Sequence, residues 1–449
     1  MTQKTKLKQT EIGIIPEDWE VKKLNELLFI KGRIGWKGLK KSEFGRDGII
    51  IINGPNIKNG KVVWKNCLRV PKWRYDESQE ISVKKNDILM TKDGTIGKMA
   101  HVTHLPEPAT LASGIFLIRS KSEKLDQDFL YQYFNSPFFK SLVESRIEGS
   151  VIPHLYQRDI EQLSIPFPSS VEQQSIAKIL SDLDSKIELN QNMNKTFEAL
   201  SKVIFKHWFI DFEFPNKEGK PYKSSGGDMT DNEELGKQIP KGWEVVPLDQ
   251  AAEFTRGFSY RGSEKSKIDG EYAFVTLNSV KEFGGFKREF SYITSDRVKE
   301  KNFVYRGDIV VANTEQTKTG TLLGYPALVE FPLGYEKGKG IFSHHITKVI
   351  PKLKNLKHYL YYHLFINQQN AVKYNTGSVI WALDVSNWSK NEKIILPEEK
   401  LLQKFESSIE IMFLKLLENN LQIETLSRLR ETILPKLMSG KIRVPVGVK

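Results

Sequence analysis

Apolar residues recur along this chain with two periods, and each pattern occurs twice. Short, mostly apolar runs bounded by glycine, asparagine and lysine read as strands: DGIIIIN from Asp47, DILMT from Asp87 and GIFLIRS from Gly114, then YAFVTL from Tyr272, DIVVAN from Asp308 and HHITKVIP from His344. Each set leads to an aromatic helical stretch, FLYQYF from Phe129 and YLYYHL from Tyr359, whose rings belong in a core rather than on a stacking platform. A proline-bearing strand end follows, IPFP at Ile165 and ILP at Ile395. Behind it, apolar positions alternate three and four apart: Ile176, Leu180, Leu183, Ile187, Asn190, Asn194, Phe197, Ser201, Ile204 and Trp208. Adding 229 gives the matching stripe: Phe405, Ile409, Met412, Leu416, Asn419, Ile423, Leu426, Arg430, Ile433 and Leu437.

That spacing is the seam of a coiled coil. A one-sided stripe of this length needs a partner, and the nearest is the other copy, tethered in the same chain. An antiparallel register in which residue numbers sum to 613 sets Leu180 against Ile433, Phe197 against Leu416, Ile204 against Ile409, and Asn194 against Asn419. Paired asparagine amides satisfy each other and penalise slippage. The same register leaves Asn190 against Ile423 and Arg430 against Leu183, and a parallel pairing, with Asn190 opposite Asn419, competes. Ser169 and Glu172 form an S-x-x-E capping box that starts the first helix near Ser170. Pro397 suits the first turn of the second, Gly440 marks its stop, and Pro435 is a point for a kink or an earlier end.

The repetition extends to whole motifs. IPEDWEV at Ile15 returns as IPKGWEV at Ile239, KNDIL around Asp87 as RGDIV around Asp308, and GSVI at Gly149 again at Gly377. Their order is kept, and the offsets of 224, 221 and 228 drift as loop insertions make them. The expected organisation is a first mixed domain over 1–168, a central helical spacer over 169–210, a polar linker over 211–238, a second mixed domain over 239–396, and a C-terminal helical spacer and tail over 397–449. The fold class is α+β: two tandem globular mixed domains separated by two long helices that pair as an antiparallel coiled coil.

The net charge is +12 with a pI near 9.3, a balance that favours a polyanionic partner. Cys67 is the single cysteine, which excludes intrachain disulfides and cysteine-based zinc clusters. The N-terminal stretch lacks an apolar signal core, and no run reaches the length of a membrane span, so a cytoplasmic location is expected.

With these motifs in hand, the chain resembles the specificity subunit of type I restriction-modification systems. The resemblance rests on the paired I-P-x-x-W-E-V openings, NDILMTKDGTIGKMA at Asn86 to Ala100, GSVIPHL at Gly149 to Leu155, IPFPSSVEQQSIAKILSDLDSKIELN at Ile165 to Asn190, and LRETILPKLMSGKI at Leu429 to Ile442. It implies a non-catalytic subunit with two target-recognition domains, each reading one half of a bipartite double-stranded DNA site, and helices that set the spacing. It also implies two copies of an adenine-N6 methyltransferase subunit and a motor-nuclease restriction subunit as partners. S-adenosylmethionine, ATP and Mg²⁺ then belong on those partners, with no cofactor in this chain. Where the first copy has DGTIGKMA the second has NTEQTKTGTLLGYPA, a differently shaped loop that suits a different half-site.

The residues agree that catalysis lies elsewhere. The N/D-P-P-aromatic tetrad of a methylase and the G-x-x-x-x-G-K-[ST] loop of a motor are both absent, and Asn53-Gly54-Pro55-Asn56 is only superficially similar to the tetrad. Two rival functions remain. A self-sufficient Mg²⁺-dependent nuclease would use Asp211 with Glu218-Gly219-Lys220, although no strand supports them. A coiled-coil adaptor would need no DNA. His101 with His104, and His344 with His345, lack a third metal ligand, and adjacent strand histidines point to opposite faces.

Candidate DNA contacts sit on three pairs of loops. The first is basic and punctuated by glycine: Lys31, Arg33, Trp36 and Lys37, with Lys40 and Lys41 as solvated neighbours, matched by Arg256, Tyr260 and Arg261, with Lys265 and Lys267. Arginine grips a guanine edge through two hydrogen bonds. The second comprises Lys92, Asp93, Thr95 and Lys98, matched by Asn313, Thr314, Gln316 and Lys318; asparagine and glutamine suit adenine or their own turns. The third comprises Ser150 and His154, matched by Ser378 and Trp381.

Overall fold

The computed structural model describes residues 6–33, 38–146 and 155–444. The chain divides into two compact units, residues 1–188 with 425–449, and residues 189–424. Both boundaries fall inside the long helices, so each unit holds part of both.

In the first unit the strands follow the apolar runs. Met99–His101, Ile88–Thr91, Ile115–Ser120 and Leu28–Gly32 form an antiparallel four-stranded sheet in that order. Side chains alternate across a strand, and both faces of this sheet are covered. Ile88, Met90, Phe116 and Ile118 pack on one side against Phe129, Leu130, Tyr133 and Phe134 of the aromatic helix Gln127–Asn135. Leu89, Ile115 and Leu117 pack on the other against Ile50, Ile52, Ala109 and Leu111 of a three-stranded sheet. That sheet contains a parallel pair, Ala109–Leu111 with Ile49–Ile52.

The second unit repeats the plan. Its four-stranded sheet is Pro326–Leu328, Ile309–Ala312, Ile346–Pro351 and Ala252–Arg256, and its parallel pair is Tyr272–Val275 with Lys339–Phe342. Ile309, Val311 and Val349 meet the aromatic helix Lys357–Ile366, while Val310, Ala312 and Ile346 face the second sheet.

The repeated I-P-x-x-W-E-V motif joins each domain to its helix. Glu20–Lys23 pairs with Ser164–Phe167, and Glu244–Pro247 with Lys393–Leu396, the strands that precede the two long helices. Trp19 is only 1% exposed, and its indole donates to Glu172 Oε2 at 2.9 Å. Arg443 completes that cluster by pairing with Glu172 and Asp18 at 2.7 Å each. Trp243 lies instead among Phe209, Phe212 and Phe214.

The segment 211–238, expected as a polar linker, is partly built into the second unit. Phe212 and Phe214 are buried against Trp243, and Met229–Asn232 pairs with Lys237–Pro240. This hairpin matches Leu7–Thr10 with Gly13–Pro16 in the first unit, so the repeat begins about ten residues earlier than its tryptophan motif suggests. Glycine, serine and charge dominated the composition and masked two core phenylalanines.

The first long helix spans Ser170–Phe205 and the second Glu399–Met438. Ser169 Oγ accepts from the Glu172 amide at 3.4 Å, one half of the expected box; the glutamate side chain serves Trp19 and Arg443 instead. Pro397 lies just before the second helix rather than in its first turn, and the helix continues through Pro435 until Gly440, at φ +67°, ends it. Within each unit the helical segments run antiparallel. Asn419 Nδ2 donates to Asn194 Oδ1 at 2.9 Å, and Ser201 faces Met412 at 3.5 Å, both in the 613 register. Leu180 shares a core with Leu434 and Leu437 and with the partly buried Ile433. The two mismatches resolve one residue along: Asn190 donates to Gln422 at 3.0 Å, and Arg430 pairs with Asp184 at 2.5 Å. Leu183, Ile187, Phe197, Ile204, Ile409, Leu416 and Leu426 are all at least half-covered. No helix among the described residues is long and apolar enough to cross a membrane.

Candidate nucleic-acid interface

In each unit, the loops at one end of the four-stranded sheet are fastened by the same backbone hydrogen bonds. In the second, Asn313 N donates to His345 O at 3.0 Å and Leu383 N donates to Asn313 O at 2.9 Å. In the first, Lys92 N donates to Gly114 O at 2.9 Å and Leu155 N to Lys92 O at 3.1 Å. The second candidate loop is therefore tied to Leu383, just after the third, in the second unit, and to Leu155 in the first. The first loop joins them: Gly32 pairs with Phe116 where Arg256 pairs with Thr347, and a Cβ on Gly32 would lie 3.7 Å from Lys92 Cε. In the second unit Arg256, Asn313, Thr314, His345 and Leu383 line one open groove of about 780 Å³.

The second-unit loop is organised by a residue that sequence reasoning missed. Glu315 is 1% exposed, and its carboxylate accepts from the backbone amides of Thr319, Gly320, Thr321, Leu322 and Leu323 and from the hydroxyls of Thr317 and Thr319. Burial opposes the charge, but the converging donors hold its pKa down at about 2. Lys318 is thereby set at φ +56°, with its ammonium donating to Ser378 O at 2.5 Å. The clue was present in T-x-T-G-T, a glycine-containing run of hydroxyls and free amides behind one glutamate.

The remaining candidates divide by exposure. Lys31, Lys98, Arg256, Arg261 and Gln316 are exposed, as are Lys40, Lys41 and Lys267, with Lys265 half-buried. Lys92 lies over the Phe116 ring at 5.2 Å, and Thr314 Oγ1 is 3.2 Å from His345 Nδ1. Asp93 sits beside Gly114, while Thr95 and Ser378 accept through their carbonyls from Thr91 and Lys318. Tyr260 packs edge-on against Phe274 at 4.9 Å, and Trp381 is half-buried in the strand Trp381–Ala382 beside Glu315. Trp36, Lys37, Ser150 and His154 lie outside the described residues.

Arg33 is not a surface reader. It is 3% exposed and donates to Leu111 O at 2.9 Å, Thr110 Oγ1 at 3.2 Å and Ser78 Oγ at 3.4 Å. Burial lowers its pKa. The strand register explains the difference: Arg33 stands one residue beyond the position of Arg256, and a one-residue step turns a side chain to the other face. Asn313 is also committed, donating to His344 O at 3.1 Å and only 8% exposed, so it stabilises its own turn. His344 and His345 lie in the turn between strands, not on one, and their rings are 4.0 Å apart rather than on opposite faces.

The alternative chemistries do not assemble. Asp211 pairs with Lys206 at 2.7 Å, and Glu218 with Lys220 at 3.0 Å, so the linker carboxylates are each engaged and exposed. Among the described residues, His358, Glu406 and Glu410 form a histidine-carboxylate cluster. Glu406 faces Nδ1 at 3.0 Å and Glu410 faces Nε2 at 3.5 Å, opposite edges of the ring, while the Lys357 ammonium sits 3.2 Å from Glu410. A metal needs ligands that converge on one point. This network holds the aromatic helix to the second long helix.

The family model for the type I restriction modification DNA specificity domain matches residues 16–199 and 240–431. The type I restriction enzyme MjaIX specificity subunit of Methanocaldococcus jannaschii is 28% identical over 98% of this chain and 97% of its own length. The HindI specificity subunit of Haemophilus influenzae is 22% identical over 88% of this chain and 94% of that protein. In fold, the chain is similar to the crystal structure of a type I restriction-modification S subunit from M. genitalium, with a TM-score of 0.59 and 18% identity over 97% of this chain and 99% of that one.

Proposed function

The chain belongs to the family of type I restriction-modification specificity subunits, the non-catalytic DNA-recognising component, and we propose that each of its two units reads one half of a split DNA site. The observation that carries this reading is one backbone frame built twice, with Gly32, Lys92, Asp93 and Gly114 at its mouth in the first unit and Arg256, Asn313, Thr314 and His345 in the second. The frame fixes where a base edge is met, and the side chains decide which edge.

The long helices set the spacing between half-sites. Helices of 36 and 40 residues are about 54 and 60 Å long. Their antiparallel seam, pinned by Asn194 and Asn419, resists sliding. They also carry exposed apolar residues away from the seam, among them Leu189, Leu200, Val203, Ile411, Leu414 and Leu429, which suit the docking of two methyltransferase subunits. S-adenosylmethionine, ATP and Mg²⁺ act on the partner subunits, and this chain selects the adenine that is flipped into the methyltransferase.

Inserting one heptad into each long helix, at positions facing each other, tests the ruler. The methylated motif should keep both half-sites and gain spacer bases. An unchanged spacer, with the complex intact, would remove the role of the helices.

A further inference from the structure

The matched frames isolate what differs between the two units, and one difference was not anticipated. Gly32 and Arg256 occupy one strand position, Asp93 and Thr314 another, and Gly114 and His345 a third. In the second unit, Arg256 and His345 line the same groove. We infer that Arg256 and His345 form a base-reading pair of the second unit and recognise the acceptor edge of a guanine. The inference deepens the proposed reading of half-sites and rests on it.

The chemistry follows from the histidine's neighbour. Thr314 Oγ1 lies 3.2 Å from His345 Nδ1. We assign the Thr314 hydroxyl as the donor of this bond, which places the ring proton on Nε2 and makes the free edge of the imidazole a donor. Burial, with His344 and Arg256 nearby, pushes the His345 pKa below its ordinary value and keeps the ring neutral. A guanidinium is donor-only. Two donor groups facing one groove match a base edge that offers acceptors alone, and in the major groove guanine presents N7 and O6 side by side. Adenine would set its amino donor against them. In the first unit, glycines at the two corresponding positions leave the frame without this pair, so the half-sites differ although the backbones agree.

The test uses the full chain with its methyltransferase and maps N6-methyladenine for wild type, His345→Ala, His345→Gln and Arg256→Ala. Thermal melting of each complex monitors folding. We expect His345→Ala and Arg256→Ala to relax one G·C position of one half-site, with discrimination falling about 10-fold or more, while the other half-site and the spacer stay sharp. Glutamine, which retains a donor, should restore part of the loss. A motif unchanged in both alanine variants, relaxation at an A·T position, or weakening of both half-sites would overturn the inference. A wild-type complex that gives no split motif would instead remove the reading on which it rests.

Discussion

Glu315 anchors the loop from Thr317 to Leu323 in the second unit, and Glu315→Gln is the sharpest perturbation of it. The substitution keeps the shape, removes the charge, and turns an NH₂ group toward amides that also donate. Holding this carboxyl at about 2 against an ordinary 4.5 is worth about 3 kcal/mol. Hydrogen bonds to a buried charged acceptor support the same order of magnitude. Amide hydrogen exchange reads the loss directly: protection at Thr319 to Leu323 should fall by about 100-fold, while amides of the first unit keep theirs. The pH dependence has a defined sign. Because the folded pKa is depressed, the stabilisation is complete above about pH 4.5 and disappears as pH falls toward 2, so wild-type protection should erode in that window and the variant's should not. Equal protection in wild type and variant at neutral pH would refute the assignment of the carboxylate as the loop's anchor.

Other consequences are more easily stated. Asn194→Leu leaves the buried Asn419 amide without its acceptor and should cost about 1–3 kcal/mol in denaturant unfolding; the Asn194→Leu/Asn419→Leu double variant should recover most of it while losing register specificity. Arg33→Ala should lower the melting temperature of the first unit by removing three buried hydrogen bonds, and the sequence it selects should stay the same. Cysteines placed at 180 and 433 should bridge on oxidation, whereas a chain that links only in a parallel register would contradict the seam.

Much of this architecture was legible because it rests on periodicity. The stripe through Leu180, Asn194 and Ile433 announced the helix pair but left a parallel pairing of Asn190 with Asn419 open, and the contact of Asn419 with Asn194 decides for the antiparallel one. The apolar runs such as DILMT from Asp87 announced the strands, while their two buried faces emerge from the packing. Side-chain roles were harder to read. Arg33 and Arg256 look alike in a basic, glycine-punctuated loop, yet one residue of register sends the first into the core and the second to the surface. Aligning the flanking strands instead of the basic residues would have separated them. Phe212 and Phe214 were hidden by polar neighbours, and Glu315 by the kind of partner it has rather than by distance, since its donors at Thr317 to Leu323 follow it directly in the chain. Its binding partners are backbone amides, which no residue type announces.

The central claim is that two different reading heads share one frame and one ruler. Co-expressing the chain with its methyltransferase in a host lacking the system, then mapping N6-methyladenine genome-wide, tests that claim most directly. The account predicts a single motif of two short, unlike half-sites separated by a fixed number of unread bases. A continuous motif, a perfect palindrome, or no new methylation from an assembled complex would contradict it.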